Sequence, residues 1–333
     1  MNEVTKIDGI GSSVRRTEDK KFLTGKGRYT DDINRPGQVQ AYFLRSDVAH
    51  AEIKSIDTKA AQSAPGVVGV FTGSDIAADK VGGPICGWVV PCRDGSSTKE
   101  PPHPLLAQGK VRFVGDAVAV VVAETMEQAK SAAELIDVDY NELTPVVDFV
   151  NADKGAQIHE EVPNNCYFDW ELGDESATNK AIESAAKVVK LSVRNNRLVP
   201  NAMEPRSALA EYDSLDESYT LHTTSQNPHL TRLVLAAFMF AIPESKLRVI
   251  APDVGGGFGS KIYVYIEEAV CVWASKKIGR PVKWTADRTQ AFLTDCHGRD
   301  HVNDVQLALD ENNKIIGLRV DTVCNLGAYL SAF

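Results

Sequence analysis

The sequence predicts an α+β protein in which two mixed domains follow one another along the chain. Its 333 residues exceed one ordinary small domain and suit two or three. Short strand-like runs rich in Val, Ile and Ala alternate with a few amphipathic helical segments. Apolar residues make up 43% and charged residues 24%, the mix of a globular protein, which excludes disordered, collagen-like and coiled-coil chains.

Charge and hydropathy narrow the class of function. Lys and Arg total 36 against 45 for Asp and Glu, which gives a formal net charge of −9. Because an acidic excess repels phosphate backbones, we expect no nucleic-acid partner. The longest apolar runs, such as Ala117–Ala123, fall far short of the roughly 20 residues of a membrane helix, so we expect no membrane span.

The N-terminus and the cysteines indicate a cytoplasmic protein. Charged residues rather than an apolar stretch follow Arg15-Arg16, so we interpret the pair as surface charge and not as an export signal. The six cysteines include no Cys-x-x-Cys pair, which argues against zinc ribbons, iron–sulfur ligation by this chain and a disulfide scaffold. We therefore expect reduced thiols and a cytoplasmic location.

The first domain is predicted to span residues 20–147, after a lead-in over residues 1–19. The first 35 residues are polar and Gly-rich and predict extended chain, and Pro84–Pro104 predicts a long irregular loop. The remaining elements predicted before residue 124 are the strands Val39–Leu44, Ala51–Ile56 and Gly66–Phe71, the short helix Thr58–Ser63, and a bent strand or strand pair over Val111–Ala123.

A helix and a strand complete this domain. Thr125 and Gln128 have the spacing of a capping box, in which each side chain satisfies a free backbone donor. Ala129, Ala132, Ala133 and Ile136 then form one apolar helical face, and Ile136–Tyr140 alternates as a strand.

The second domain is predicted to span residues 155–333, beyond a loop-like boundary at 148–175. Its predicted elements are the helix Glu175–Ala186, the strands Val188–Leu198, Ala208–Tyr212, Tyr219–Thr223 and Leu247–Ile250, a helix ending at Lys277 before Gly279, and the hairpin Val302–Leu309 with Ile315–Val323. Asn227-Pro228 predicts a further helix start, because Asn caps well and Pro suits the first helical position. Its buried residues are predicted to be Leu230, Leu233, Val234, Ala237 and Phe238.

The strongest candidate functional feature is the glycine-rich stretch Asp253–Lys261. It lies between a predicted strand and a predicted helix, where free backbone N–H groups and the helix dipole attract anions or oxo groups. Its glycines, among them Gly256, Gly257 and Gly259, allow close backbone approach. Ser260 stands where both the Walker A loop and the Gly-x-Gly-x-x-Gly fingerprint need glycine, so neither motif matches. A tight turn without a ligand is the alternative.

Two further stretches carry polar side chains with possible roles. Gln226 follows a strand and could present its amide N–H₂ to an oxygen ligand, although a capping or solvated role is the more common one. Arg299 could hold a carbonyl or carboxylate substrate with its forked guanidinium, and a salt bridge is the alternative. Cys296, His297 and His301 lack a fourth metal ligand, so we favour a hydrated loop there.

Together these stretches resemble the large, molybdopterin-binding subunit of the xanthine dehydrogenase and aldehyde oxidase family, with the carbon-monoxide-dehydrogenase-like branch nearest. The similar segments run in family order along the chain. They are Gly11–Arg16, Gly25–Asp32, Val111–Asp116, Thr224–Pro228, Gly255–Lys261 and His297–His301.

The resemblance implies a fold, a cofactor and partners. Residues 20–147 would form the family's α/β hammerhead domain, and 155–333 the first half of its mixed α/β molybdenum-cofactor domain. The cofactor would be molybdenum–molybdopterin, in its cytosine dinucleotide form. A medium subunit would carry FAD and a small subunit the 2Fe-2S clusters.

The resemblance also assigns roles to residues. Gln226 and the backbone N–H of Phe258 would hydrogen-bond the molybdenum oxo group without ligating the metal, and Gly256, Gly257 and Gly259 would complete the cofactor loop. Arg299 would position a small-molecule substrate. The reaction would hydroxylate an aldehyde or N-heterocycle, or oxidise carbon monoxide, with oxygen from water.

Two departures from the family pattern limit this expectation. Purine-oxidising members carry a glutamate where this chain has Ile262, so purine is disfavoured as substrate. Family large subunits run more than twice as long, and the apolar stretch Gly327–Phe333 lacks a polar tail. We therefore expect either a shortened reading frame or a subunit completed by a second chain, inactive alone. Glu204 is interpreted as structural.

Two other functions stay open at this point. The chain could be a scaffold or assembly module that keeps the fold without binding metal. It could also be a nucleotide-dependent oxidoreductase that uses the glycine loop for phosphate, which the loop spacing disfavours.

Overall fold

The structure, a computed structural model, describes residues 9–331. Residues 1–8 of the expected lead-in and the last two residues of the expected second domain lie outside the described range. The helices are α1 (Asp19–Leu23), α2 (Lys59–Gln62), α3 (Gly73–Ala78), α4 (Met126–Ala133), α5 (Glu175–Ser184), α6 (Pro228–Leu233), α7 (Ile266–Ile278) and α8 (Arg288–Thr294). The strands are β1 (Val39–Arg45), β2 (Ala51–Asp57), β3 (Val67–Thr72), β4 (Lys110–Val111), β5 (Ala117–Ala123), β6 (Asp137–Glu142), β7 (Lys187–Asn195), β8 (Ser207–Asp213), β9 (Ser218–Thr223), β10 (Leu247–Ile250), β11 (Val282–Thr285), β12 (His301–Leu309) and β13 (Ile315–Cys324).

One large sheet runs through both halves of the chain. Its strand order is β10-β9-β8-β11-β1-β5-β3. Strand β1 pairs antiparallel with β5 and parallel with β11, where Val39 lies opposite Val282. Strands from both sides of the expected boundary at 148–175 therefore belong to one hydrogen-bonded sheet. The sequence did not predict this pairing of β1 with β11.

Two smaller sheets flank this large one. The first has the order β4-β2-β6, and the second has the order β13-β12-β7. The segment between β6 and β7 consists mostly of irregular chain, with 3₁₀ turns at Phe149–Lys154 and Pro163–Asn165, followed by α5.

The core lies on both faces of β5, whose residues are all buried. Val120 and Val122 pack into a cluster that includes the middle of α7, whereas Ala119 and Val121 pack into a second cluster with α4. A strand covered on both faces is apolar throughout, which explains the Val-rich run read from the sequence.

The local helix signals act as the sequence predicts. The Thr125 hydroxyl accepts a hydrogen bond from Gln128 N–H at 3.2 Å, and Thr125 N–H donates to Gln128 Oε1 at 3.1 Å. Asn227 caps α6 through Leu230 N–H, and Gly279 ends α7 in the left-handed region at φ 71°.

Two expectations about local structure are wrong. The described part of the first 35 residues is not extended throughout, because it contains α1 and a 3₁₀ turn at Thr30–Asp32. The helix after Asn227 continues from α6 as a π-helix over Val234–Met239. Its wider turn moves the buried face: Leu235, Ala236 and Met239 are buried with Val234, and the predicted core residues Leu233, Ala237 and Phe238 are exposed.

Candidate functional site

The candidate site is built from the glycine loop after β10 and the chain that follows β9. The loop is not the first turn of a helix, since α7 begins only at Ile266. Instead, Ser260 N–H donates to the Gly257 carbonyl at 2.9 Å, which closes a tight turn. The expected helix dipole therefore starts beyond the loop, and the loop's own N–H groups are the donors that remain.

Gln226 is fixed to this loop through its carboxamide oxygen. Gln226 Oε1 accepts hydrogen bonds from Gly259 N–H at 3.0 Å and Lys261 N–H at 3.2 Å, and Gln226 N–H donates to the Lys261 carbonyl at 2.8 Å. Two donors can be satisfied only by the oxygen, so they determine the orientation of the amide. The N–H₂ group is left at the end of an exposed side chain, with no acceptor among the described residues.

Phe258 lies at the tip of the loop in an uncommon backbone conformation. Its φ is 50°, and its side chain is 75% exposed. Within the described residues no group accepts a hydrogen bond from the N–H of Phe258, Gly256 or Gly257. The Gly259 N–H is already bound to Gln226, so it is not available to a ligand.

Gly257 is buried against Gln226, and a Cβ at this position would overlap Gln226 Oε1. Only glycine therefore permits this approach of loop and carboxamide. The sequence-predicted residues Gln226, Gly256, Gly257, Phe258 and Gly259 are thus brought together in one place.

Glu204 and Lys261 brace the loop from inside. Gly255 N–H donates to Glu204 Oε2 at 2.7 Å, and Lys261 Nζ donates to the same oxygen at 3.0 Å and to the Glu204 carbonyl at 2.8 Å. Burial lowers the pKa of Lys261, although Glu204 opposes this shift. Because the ammonium points to Glu204 and is buried, it is not presented to a phosphate, unlike the lysine of a P-loop.

Arg299 lies on a separate segment. It is exposed, has φ 69°, and makes no ion pair with the described residues. Its neighbour Gly298 pairs with Leu198, while Asp300 binds Arg197 at 3.0 Å. Within the described residues, no hydrogen bond or ion pair joins Arg299 to the glycine loop.

The Tyr265 hydroxyl links the two segments. It donates to the Ser260 carbonyl at 2.6 Å and accepts from Cys296 N–H at 2.9 Å. Nearby, His297 contacts the Phe292 carbonyl at 3.0 Å. Across residues 9–331 no group of three or more His, Cys, Asp or Glu side chains is arranged to hold a metal ion.

A buried charge network underlies both segments and was missed from the sequence. Arg206 binds Glu267 at 2.7 Å and Asp295 at 2.6 Å, and Arg45 binds Glu267 at 2.7 Å. Burial alone would raise the pKa of Glu267, but the Arg206 and Arg45 guanidinium groups outweigh it and lower this pKa to about 2. The partners are far apart in sequence, so no local pattern signals the network.

Comparison with known families identifies both parts of the chain. The molybdopterin cofactor-binding domain matches residues 158–333, and the aldehyde oxidase and xanthine dehydrogenase a/b hammerhead domain matches residues 24–144. In the described part of the chain, no helix is both long and apolar enough to cross a membrane.

Individual proteins and structures agree with these matches. The carbon monoxide dehydrogenase large chain of Afipia carboxidovorans is 35% identical over 97% of this chain and 40% of its own length. The structure of quinoline 2-oxidoreductase from Pseudomonas putida 86 superposes with a TM-score of 0.85 at 36% identity, over 96% of this chain and 40% of that one.

The chain thus spans about 40% of the length of these relatives. A more distant relative is shorter: the chain spans 72% of the nicotinate dehydrogenase large molybdopterin subunit of Eubacterium barkeri, at 26% identity. The two domain matches, in the order hammerhead then cofactor-binding domain, confirm the resemblance and the fold class read from the sequence. The chain belongs to the xanthine dehydrogenase and aldehyde oxidase family of molybdopterin-binding large subunits.

Proposed function

We propose that this chain forms one side of the cofactor pocket in a molybdenum hydroxylase that oxidises an aldehyde, an N-heterocycle or carbon monoxide. The relatives support this class, because they include large chains or subunits of carbon monoxide dehydrogenase and nicotine 6-hydroxylase. The apolar Ile262 makes a purine substrate unfavourable, since it cannot accept a hydrogen bond from a purine ring.

The orientation of the Gln226 carboxamide carries this proposal. Its oxygen is already bound by the loop, so the group that it offers to a ligand is a hydrogen-bond donor. The unbound N–H of Phe258 belongs to the same loop. A set of donors without negative charge suits an oxygen-rich, electron-rich group such as the oxo centre of a molybdenum cofactor, so the residues present fit it.

When bound, a molybdenum–pterin cofactor, here expected in the cytosine dinucleotide form, supplies the oxidation chemistry and the route for electrons. The chain's own residues bind and orient. Gln226 Nε2 and Phe258 N–H donate to oxygen, and the missing Cβ atoms of Gly256 and Gly257 leave room for the Phe258 ring and the Gln226 carboxamide. Arg299, exposed and without an ion-pair partner among the described residues, positions the substrate.

The proposal includes partner chains. FAD would be carried by a medium subunit and 2Fe-2S clusters by a small one. Because the chain spans about 40% of its first relatives, the remaining contacts to the cofactor and the catalytic base would come from polypeptide that corresponds to the rest of their length. The chain alone is then expected to be inactive.

A charge-changing variant at Gln226 tests the function. Gln226→Glu keeps an oxygen for Gly259 and Lys261 N–H but replaces the N–H₂ donor with a carboxylate oxygen, so we expect an intact fold. The assembled complex should lose most of its molybdenum, measured by elemental analysis, and its dye reduction with aldehydes, N-heterocycles and carbon monoxide.

Gln62→Glu is the matched control, because Gln62 is an exposed side chain on α2. A Gln226→Glu complex with the molybdenum content and turnover of the parent would remove Gln226 from the site. A parent complex that folds and assembles without molybdenum would instead support the scaffold function.

A further inference from the structure

The sheet β13-β12-β7 has an apolar face that no described residue covers. Seven residues form this face, which we call the open sheet face: Val189, Leu191, Val193, Val305, Leu307, Leu318 and Val320. Leu191 is 60% exposed and Leu318 is 55% exposed.

Strand register shows that these residues lie on one side. Val305 is directly opposite both Val320 and Leu191, and Leu307 is opposite both Leu318 and Val189. Side chains that are directly opposite in an antiparallel pair point to the same face, and alternate residues of a strand do so as well.

The chain covers part of the other side of the sheet. A Cβ at Gly317 would lie 2.9 Å from Ala181 of α5, and Arg319 contacts Asn179 of the same helix. The 3₁₀ turn at Phe149–Lys154 covers a further part of this side, since the Arg194 guanidinium lies 5.7 Å from the Phe149 ring centroid.

The two sides of this sheet differ in polarity. An antiparallel sheet with one solvated face normally carries its polar residues there. On the side that α5 partly covers, the charged residues Lys190, Arg194, Asp304 and Asp321 are exposed, whereas the most exposed residues of the open sheet face are aliphatic. A contiguous aliphatic face of this kind marks an interaction surface.

The similarity findings indicate what covers this face. The sheet lies within residues 158–333, the match to the cofactor-binding domain, and about 60% of the length of the first relatives has no counterpart in this chain. A face-to-face pair of identical chains is disfavoured, because each carries a formal net charge of −9.

We infer that the open sheet face docks a polypeptide equivalent to the part of the relatives' large chains that this chain does not span. The inference rests on the proposed function, since the docked polypeptide would complete the cofactor pocket. Its recognition is aliphatic packing on the sheet surface.

Binding to a defined probe tests the inference. The probe is the segment of the Afipia carboxidovorans carbon monoxide dehydrogenase large chain that lies outside the aligned 40%. Binding to the parent chain is measured by size-exclusion chromatography and titration. Leu191→Asp and Leu318→Asp should each weaken binding at least ~10-fold, because a carboxylate would be buried without a partner.

Controls and a native reporter come from the same chain. Leu215→Asp, in the exposed turn after β8, and Leu172→Asp should bind like the parent, and all four variants should keep its melting temperature.

Cys324 lies opposite His301 at the end of the open sheet face, whereas Cys166 is exposed elsewhere. Docking should slow alkylation of Cys324 by N-ethylmaleimide and leave that of Cys166 unchanged.

Several results would overturn the inference. They are no binding of the probe by the parent, equal binding by the Leu191 and Leu318 variants, or a dimer of the parent chain that protects Cys324. Docking without molybdenum in the assembled complex would contradict the proposed function and leave the interface standing. If the assembled complex contains molybdenum and turns over, and Leu191→Asp and Leu318→Asp bind the probe like the parent, the interface is contradicted and the proposed function stands.

Discussion

At the residue scale, the candidate site depends on one close approach between a side chain and a backbone. Gln226 Oε1 lies against the loop at Gly257, and it takes two of the loop's N–H groups. These two hydrogen bonds orient the Gln226 amide and also hold the loop in place. The direction of the Gln226 N–H₂ donor and the shape of the loop therefore depend on each other.

Substitution of Gly257 should move the Gln226 carboxamide away from the glycine loop. In Gly257→Ala the added methyl would overlap Gln226 Oε1, and the carboxamide would have to move. We expect the assembled complex to lose molybdenum, measured by elemental analysis, and the chain to lose about 1–3 kcal/mol of unfolding free energy from overpacking. Gly298→Ala is the control, since its Cβ would meet nothing within 4 Å. Normal metal content in Gly257→Ala would contradict the loop assignment.

A second single residue sets a pH dependence. Asp116 is buried next to Arg112, whose N–H donates to it at 3.1 Å, and burial raises its pKa to about 7 from 3.8. Between these two pH values the folded chain holds one proton more than the unfolded chain, so its contribution to stability is complete below pH 3.8 and is lost as the pH rises through 7.

Asp116→Asn keeps an acceptor for Arg112 N–H and cannot ionise. Its unfolding free energy relative to the parent should therefore increase with pH, by about 1.4 kcal/mol per pH unit between roughly pH 4.5 and 7. Urea unfolding at several pH values measures this difference. Asp94→Asn is the control, because the Ser96 hydroxyl lowers the pKa of Asp94 instead. A difference that does not change with pH would contradict the prediction.

At the element scale, the sequence predicts what short-range chemistry determines. The Thr125 capping box, the Asn227 cap and the Gly279 stop each involve residues within four positions of one another, and each is present in the structure. The π-helix after α6 was not predictable in this way, because its i to i+5 pattern follows from tertiary packing and changes which residues face the core. The residue patterns indicated Gln226 and the glycine loop as two separate motifs, and only the family resemblance predicted that both serve one oxo group. The direct hydrogen bonds between them were not predicted.

The buried network that connects β1, α7 and the chain before β8 gives a prediction about stability. Glu267→Gln would leave Arg45 and Arg206 buried without their shared carboxylate. Removing one partner of a buried pair costs about 3–5 kcal/mol, which urea unfolding would measure. Glu124→Gln, at the solvent-exposed pair with Arg280, should change stability far less. Equal losses in the two variants would show that the Glu267 network has no special role.

At the scale of the whole molecule, the two family matches form one structural unit. Strand β1 from the hammerhead match lies between β5 and β11, and β11 belongs to the cofactor-domain match. The Lys283 ammonium also donates to the Asp31 carbonyl at 2.6 Å, across the same joint. Pairing between strands more than 200 residues apart leaves no periodic signal, so the sequence predicted two successive domains and not their common sheet.

Proteolytic cleavage of the chain between the two family matches tests whether they form one structural unit. Leu172 and Gly173 lie in exposed chain after the 3₁₀ turn at Pro163–Asn165, and the six cysteines are free. A protease site inserted there would therefore leave only non-covalent contacts between the fragments. We expect the cleaved fragments to co-elute in size-exclusion chromatography and to unfold in one transition, because separation would expose the edges of β1 and β11 and the core beneath them. Concentrated urea should separate them, which confirms complete cleavage. Fragments that elute apart in native buffer would show that the shared sheet does not hold the halves together.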